Sequence, residues 1–143
     1  MIKFIPTIAA KNVIEAIELY KDTFNATIGR LVYNTDVPGS SEIKEQDREI
    51  LHAELLINNA PILHFTEEAS DQNQYTGKTI YGNNITLVAN FETEEEISNA
   101  YNKLKKAEGS KIIVELGDAF WGAKFGCVKD KFNVIWNLNC DKK

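Results

Sequence analysis

Apolar residues recur at helical spacing in two stretches of the chain and alternate in strand-like fashion in the stretches that follow. Val13, Ile17, Tyr20 and Phe24 form one stripe, with Asn12 before it and Glu15 three positions on, a capping-box pattern that predicts a helix over 13–24. Thr93 and Glu96 repeat the pattern ahead of Ile97, Ala100, Tyr101 and Leu104, with Gly109 as a stop, and predict a second helix over 94–107. A short β-branched run precedes each helix, at 2–9 and at 85–89. Strand-like segments at 26–33, 51–57 and 62–66 follow the first helix, and segments at 111–116, 123–128 and 134–139 follow the second.

The order β-α-β-β-β is therefore written twice, with corresponding caps and post-helix strands at nearly equal intervals. This predicts an α+β fold of two tandem βαβββ modules within a single domain spanning 1–143. Module one covers about 1–66 and module two about 85–140. Between them, 67–84 lacks an apolar period and is rich in polar and turn residues, as a linker would be. The insertion at 34–49 is charged, carries Pro38-Gly39, and reads as a solvated flap between two strands of the first module.

Composition narrows the class. The chain has 143 residues, 43% hydrophobic and 26% charged, enough to bury a substantial core and too apolar for a disordered segment. A formal charge of −5, with no basic run interleaved with aromatics, argues against a nucleic-acid partner. The opening apolar stretch is short and broken by Pro6, too brief for a signal core or a membrane span, so a cytoplasmic, membrane-free protein is expected. Cys127 and Cys140 have neither a CxxC partner nor a nearby His, which disfavours a structural zinc site or a disulfide framework.

Two stretches carry candidate chemistry. Residues 52–65 read as a hairpin turning at Asn58-Asn59, both tolerant of positive φ. A plain two-residue hairpin puts His52, Glu54, Leu56, Leu63 and Phe65 on one face, and Ala53, Leu55, Ile62 and His64 on the other. His52 and Glu54 can then cooperate as acid and base or as metal donors, whereas His64 points away unless a bulge intervenes. The second stretch, 118–136, concentrates Phe120, Trp121, Phe125, Phe132 and Trp136, with Gly122 and Gly126 permitting close backbone approach. Aromatic faces of this kind suit an apolar ligand site, and core packing is the competing role, above all for Phe132 and Trp136.

The duplicated order, the His52-Ala-Glu-Leu strand, Phe120-Trp121-Gly and the closing Gly126-x-Val-x-Asp130-x-Phe132-x-x-x-Trp136 together resemble the glyoxalase/bleomycin-resistance, or vicinal oxygen chelate, superfamily, most closely its PhnB-like branch. The resemblance implies curved, mostly antiparallel sheets around a cavity, a homodimer, and a small organic ligand, often with a divalent metal. Metal-dependent members place His or Glu at four inward positions, whose nearest counterparts here are Ile5, a position at or near His64, Asn84 and Asn137; these mostly lack strong donors. Asn133 stands where the family's closing turn has Gly, and that turn's His is missing. Methyl transfer, a name attached to some PhnB-like proteins, finds no Gly-rich strand-to-helix turn here.

The leading expectation is a ligand-binding protein whose cavity is lined by His52, Glu54, Phe120, Trp121, Phe125 and Trp136, with His52 and Glu54 as the candidate catalytic pair. A metal-dependent lyase, isomerase or dioxygenase using His52, Glu54 and His64 is one alternative. A resistance-type protein that sequesters a drug without turning it over is the other.

Overall fold

A computed structural model describes residues 1–69 and 77–142. The chain divides into two compact units, Met1–Thr79 and Ile80–Lys143, and each is built in the same order. The first contains β1 (Thr7–Ala10), α1 (Val13–Phe24), β2 (Thr27–Tyr33), β3 (Ile50–Ile57) and β4 (Ala60–Glu67). The second contains β5 (Leu87–Asn90), α2 (Glu94–Lys106), β6 (Lys111–Asp118), β7 (Ala123–Lys129) and β8 (Ile135–Asp141).

Each unit forms a four-stranded mixed sheet, in the orders β1-β4-β3-β2 and β5-β8-β7-β6. The pairs β1/β4 and β5/β8 are parallel and the remaining pairs antiparallel. The helix is what allows the parallel pairing, because it carries the chain back across the sheet before the next strand.

Both helices start where their caps dictate. The Asn12 side-chain oxygen accepts from the Glu15 N–H at 3.1 Å, and the Thr93 hydroxyl accepts from the Glu96 N–H at 3.1 Å. The α1 stripe of Val13, Ala16, Ile17 and Tyr20 is buried with Ala53, Leu55, Leu63 and Phe65 of β3 and β4, and the Tyr20 and Phe65 rings stack at 5.9 Å. Ile97, Ala100, Tyr101 and Leu104 of α2 are buried in the second unit, as are Val128, Trp136 and Leu138 of its sheet.

The first strand is Thr7–Ala10 rather than 2–9, because Pro6 has no N–H for the ladder; its carbonyl still accepts from His64 N–H at 2.9 Å. The flap at 34–49 is tied at its base by Asn34, whose side chain donates to the Asp47 carbonyl and accepts from Glu49 N–H. Of the expected linker, 70–76 lie outside the described residues. No helix among the described residues is long and apolar enough to cross a membrane.

Candidate functional site

The β3/β4 hairpin turns through Asn58 and Asn59, both in the left-handed region (φ 51° and 63°), which gives a two-residue connection. Ile57 pairs with Ala60 and Leu56 with Pro61, and then the register slips, so that Leu55 pairs with Leu63, Glu54 with His64 and Ala53 with Phe65. Ile62 is the extra residue. Pro61 removes one ladder donor next to it, and a bulge is the form in which a strand accommodates that loss.

The bulge corrects the expected sorting of faces. His64 does not point away from Glu54; it stands opposite Glu54 on the same face, whereas Leu63 and Phe65 turn to the helix side with Ala53 and Leu55. His52, two residues before Glu54, shares the open face.

Three polar side chains therefore converge on the sheet face opposite α1. His52 Nε2 lies 3.1 Å from Glu54 Oε1, and His64 Nε2 lies 3.9 Å from the same oxygen. The two imidazoles meet edge to face at 4.5 Å. Their nearest donor atoms all lie within 4.8 Å of one another. The side chains are 33%, 21% and 26% exposed for His52, Glu54 and His64, so the group is neither buried nor fully solvated.

A second bulge orients the carboxylate. Between Ile28 and Leu31 the β2 register slips, so Gly29 and Arg30 face the single residue Glu54, and the Arg30 N–H points at Glu54 Oε2 at 3.4 Å. Oε1 is left facing both rings. A Cβ at Gly29 would lie 2.9 Å from Leu56 Cδ2 and 3.2 Å from Glu54 Cβ, so a larger residue at this bulge would press on both side chains. The hydrogen bond from His52, aided by the Arg30 N–H, holds the Glu54 carboxyl below its ordinary range against the opposing effect of burial.

In the second unit, Phe120 and Trp121 sit on the turn between β6 and β7. That turn is closed by Ala119 N–H to the Ala123 carbonyl at 2.8 Å, with Gly122 at φ +84° and a Lys142–Asp118 ion pair of 2.7 Å beside it. Phe120 is 98% exposed and Trp121 52% exposed. Trp121 packs edge to face on Phe120 at 5.1 Å and on Phe125 at 5.3 Å. Phe125 pairs with Asn139 and so lies on the face opposite Leu138.

Trp136 occupies a different place from these three. It is 4% exposed, on the core face with Leu138, and its Nε1–H donates to Asp130 Oδ2 at 2.9 Å. Asp130 Oδ1 also accepts from Phe132 N–H at 2.8 Å and Val134 N–H at 3.0 Å. The turn is completed by Asn133 at φ 66°, the αL position that closes a three-residue hairpin loop. The Asp130-x-Phe132-x-x-x-Trp136 string is thus a buried fastening of the β7/β8 corner. The structure puts Trp136 in that fastening and not on an open ligand wall.

Two further residue sets bear on a metal. Cys127 and Cys140 are free and buried, and burial pushes the Cys127 thiol up, away from the thiolate a metal needs. Of the four positions the resemblance implies, the one at or near His64 keeps a strong donor, whereas Ile5 has no donor atom and the Asn137 amide donates to Thr86 Oγ1 at 2.9 Å. With Asn84 offering only an amide, that four-position metal does not fit this chain.

A model of the Glyoxalase/Bleomycin resistance protein/Dioxygenase superfamily matches residues 5–138, and the chain belongs to that family. Among particular relatives, it is 27% identical to Protein YjdN of Escherichia coli (strain K12), over 94% of this chain and 91% of that one. The structure of protein PA1353 from Pseudomonas aeruginosa superposes with a TM-score of 0.79 at 26% identity, covering both chains completely. The PhnB protein from Bacillus cereus, which bears a 3-demethylubiquinone-9 3-methyltransferase designation, matches with a TM-score of 0.68 at 25% identity over 98% and 99% of the two chains. The fosfomycin resistance protein FosX from Listeria monocytogenes, complexed with Mn(II) and sulfate, shares the fold (TM-score 0.63, 14% identity, 99% and 93% covered).

Proposed function

We propose that this chain is a PhnB-like member of its superfamily that binds a small organic molecule over the open face of its first sheet, as a homodimer. The observation that carries the reading is the convergence of His52, Glu54 and His64, partly exposed on a face that the helix leaves free. Polar groups collected at such a place serve to orient a ligand. Glu54, kept ionised by His52, supplies an acceptor, and the imidazoles supply donors or acceptors according to tautomer. A carboxylate that orients an imidazole is also the arrangement of a general acid–base couple, with the ring as the group that moves the proton. Phe120, Trp121 and Phe125 offer an apolar surface in the second unit. Exposed Ile80, Ile85 and Val88 there support a partner chain.

The test is a fragment screen by saturation-transfer NMR on the metal-free 143-residue chain, with the His52→Ala, Glu54→Gln double variant as reference. Fragments that bind the parent and lose their signal with the variant would support the reading. Binders indifferent to the double substitution would place the ligand elsewhere and overturn it.

A further inference from the structure

We infer that His52, Glu54 and His64 form a binding site for a first-row transition-metal dication such as zinc, nickel or cobalt(II), built entirely on the β3/β4 hairpin. The inference deepens the reading above, since it assigns a cofactor class to the same cluster. Of the superfamily's four-position set it takes only the position at or near His64, since the other counterparts, Ile5, Asn84 and Asn137, offer no strong donor.

The donor chemistry is two imidazole nitrogens and one carboxylate oxygen, the set that borderline divalent metals favour and that calcium and magnesium do not. One spacing already meets the need of a bound ion, and the others are wider. Donors bound at about 2.1 Å stand roughly 3.0–3.4 Å apart around an octahedral or tetrahedral ion. Here Glu54 Oε1 lies 3.1 Å from His52 Nε2 and 3.9 Å from His64 Nε2, with all three donor atoms within 4.8 Å. Ligation would ask His64 Nε2 to approach Glu54 Oε1 by about 0.5–0.9 Å from its 3.9 Å separation.

Two features of the backbone look built for this purpose. The bulge at Ile62 brings His64 to the open face, and the bulge at Gly29-Arg30 gives Glu54 an outer hydrogen-bond partner on Oε2 while Oε1 faces the rings. Outer-shell support of that kind is characteristic of ligating carboxylates. Three protein ligands on a partly exposed face leave coordination positions for a ligand or water, as in sites that act on substrates.

The test uses the full chain, stripped with chelator and titrated with cobalt(II), followed by visible d–d absorption and by elemental analysis after gel filtration. The expected result is about one cobalt per chain. His64→Ala, and separately Glu54→Gln, should weaken binding by no less than the roughly 10–100-fold that loss of outer-shell partners costs metal sites. Because a variant could fail to fold, zinc is also titrated into the unaltered protein with 15N-labelled histidine, and both ring spectra should shift together. No saturable uptake, uptake unchanged in both variants, or zinc addition that leaves either ring unmoved would overturn the inference. The fragment screen is run without metal, so either reading can fail while the other stands.

Discussion

Removing the Asp130 carboxylate should destabilise the second unit severely, because three donors converge on one buried group. Asp130 is 2% exposed and receives hydrogen bonds from Phe132 N–H at 2.8 Å, Val134 N–H at 3.0 Å and Trp136 Nε1–H at 2.9 Å. Asp130→Ala strands the first and third donors in the interior, where an unsatisfied group costs about 1–3 kcal/mol each, while the half-buried Val134 N–H recovers part of its loss from water. The sum is roughly 3–5 kcal/mol, against the 5–15 kcal/mol typical of a whole domain. For a chain of this length that lowers Tm by roughly 10–20 °C.

Asp130→Asn keeps an oxygen for the two backbone donors but sets an amide N–H against the indole N–H, so its loss should be intermediate. Trp136→Phe takes one hydrogen bond away from the buried carboxylate, for about 1–3 kcal/mol. Thermal and urea unfolding followed by far-UV circular dichroism read all three. The order Ala, then Asn, with Trp136→Phe no worse than Asn, is expected, and Trp136→Phe should leave fragment binding unchanged. An Asp130→Ala variant within about 0.5 kcal/mol of the parent, the range of ordinary surface substitutions, would refute the role given to this corner.

Gly29→Ala should cost about 1–3 kcal/mol through overpacking and also loosen cobalt(II) binding, because the new methyl group presses on Glu54 Cβ; equal affinity with reduced stability would separate the bulge from the site. Trp121→Ala, at a half-exposed aromatic, should leave Tm nearly unchanged, and a large loss of stability in a melting curve would show the residue to be core. Burial raises the Glu67 carboxyl above its ordinary range despite hydrogen bonds from Val13 and Ile50 N–H. The folded state thus holds that proton more tightly than the unfolded one, so ionisation begins to oppose folding as pH rises past the unfolded carboxylate range and does so fully above the folded value. Glu67→Gln should therefore gain stability relative to the parent at pH 7, with the gain vanishing as pH falls below the carboxylate range; a gain constant from pH 3 to 8 would contradict it.

The repeat was legible because both of its signals are local. A cap residue, a Glu three positions on and a 3.6-residue stripe mark each helix, and Asn12 and Thr93 make the bonds those patterns predict. The open face of the first sheet was only half legible. Alternation placed His52 and Glu54 together correctly in register, yet it sent His64 to the opposite face, since one extra residue at Ile62 reverses the sides of everything beyond it. Pro61 was the available signal, a residue that cannot donate within an antiparallel ladder. The contribution of Arg30 carries no sequence signal, because it is a backbone N–H aimed by a bulge. Trp136 shows a different limit. Its spacing from Asp130 was visible in the chain, but whether an aromatic lines a site or a core depends on where its polar edge finds a partner, and that partner was Asp130 itself.

The most direct test of the site is whether the two histidines face each other. The chain contains only two His, so selective 13C labelling of their rings gives an unambiguous pair of signals. Ring centroids 4.5 Å apart predict strong nuclear Overhauser contacts between the His52 and His64 rings. Contacts from His64 to Tyr20 or Val13 of α1 in their place would put His64 on the helix side, abolish the bulge, and dissolve the three-residue site.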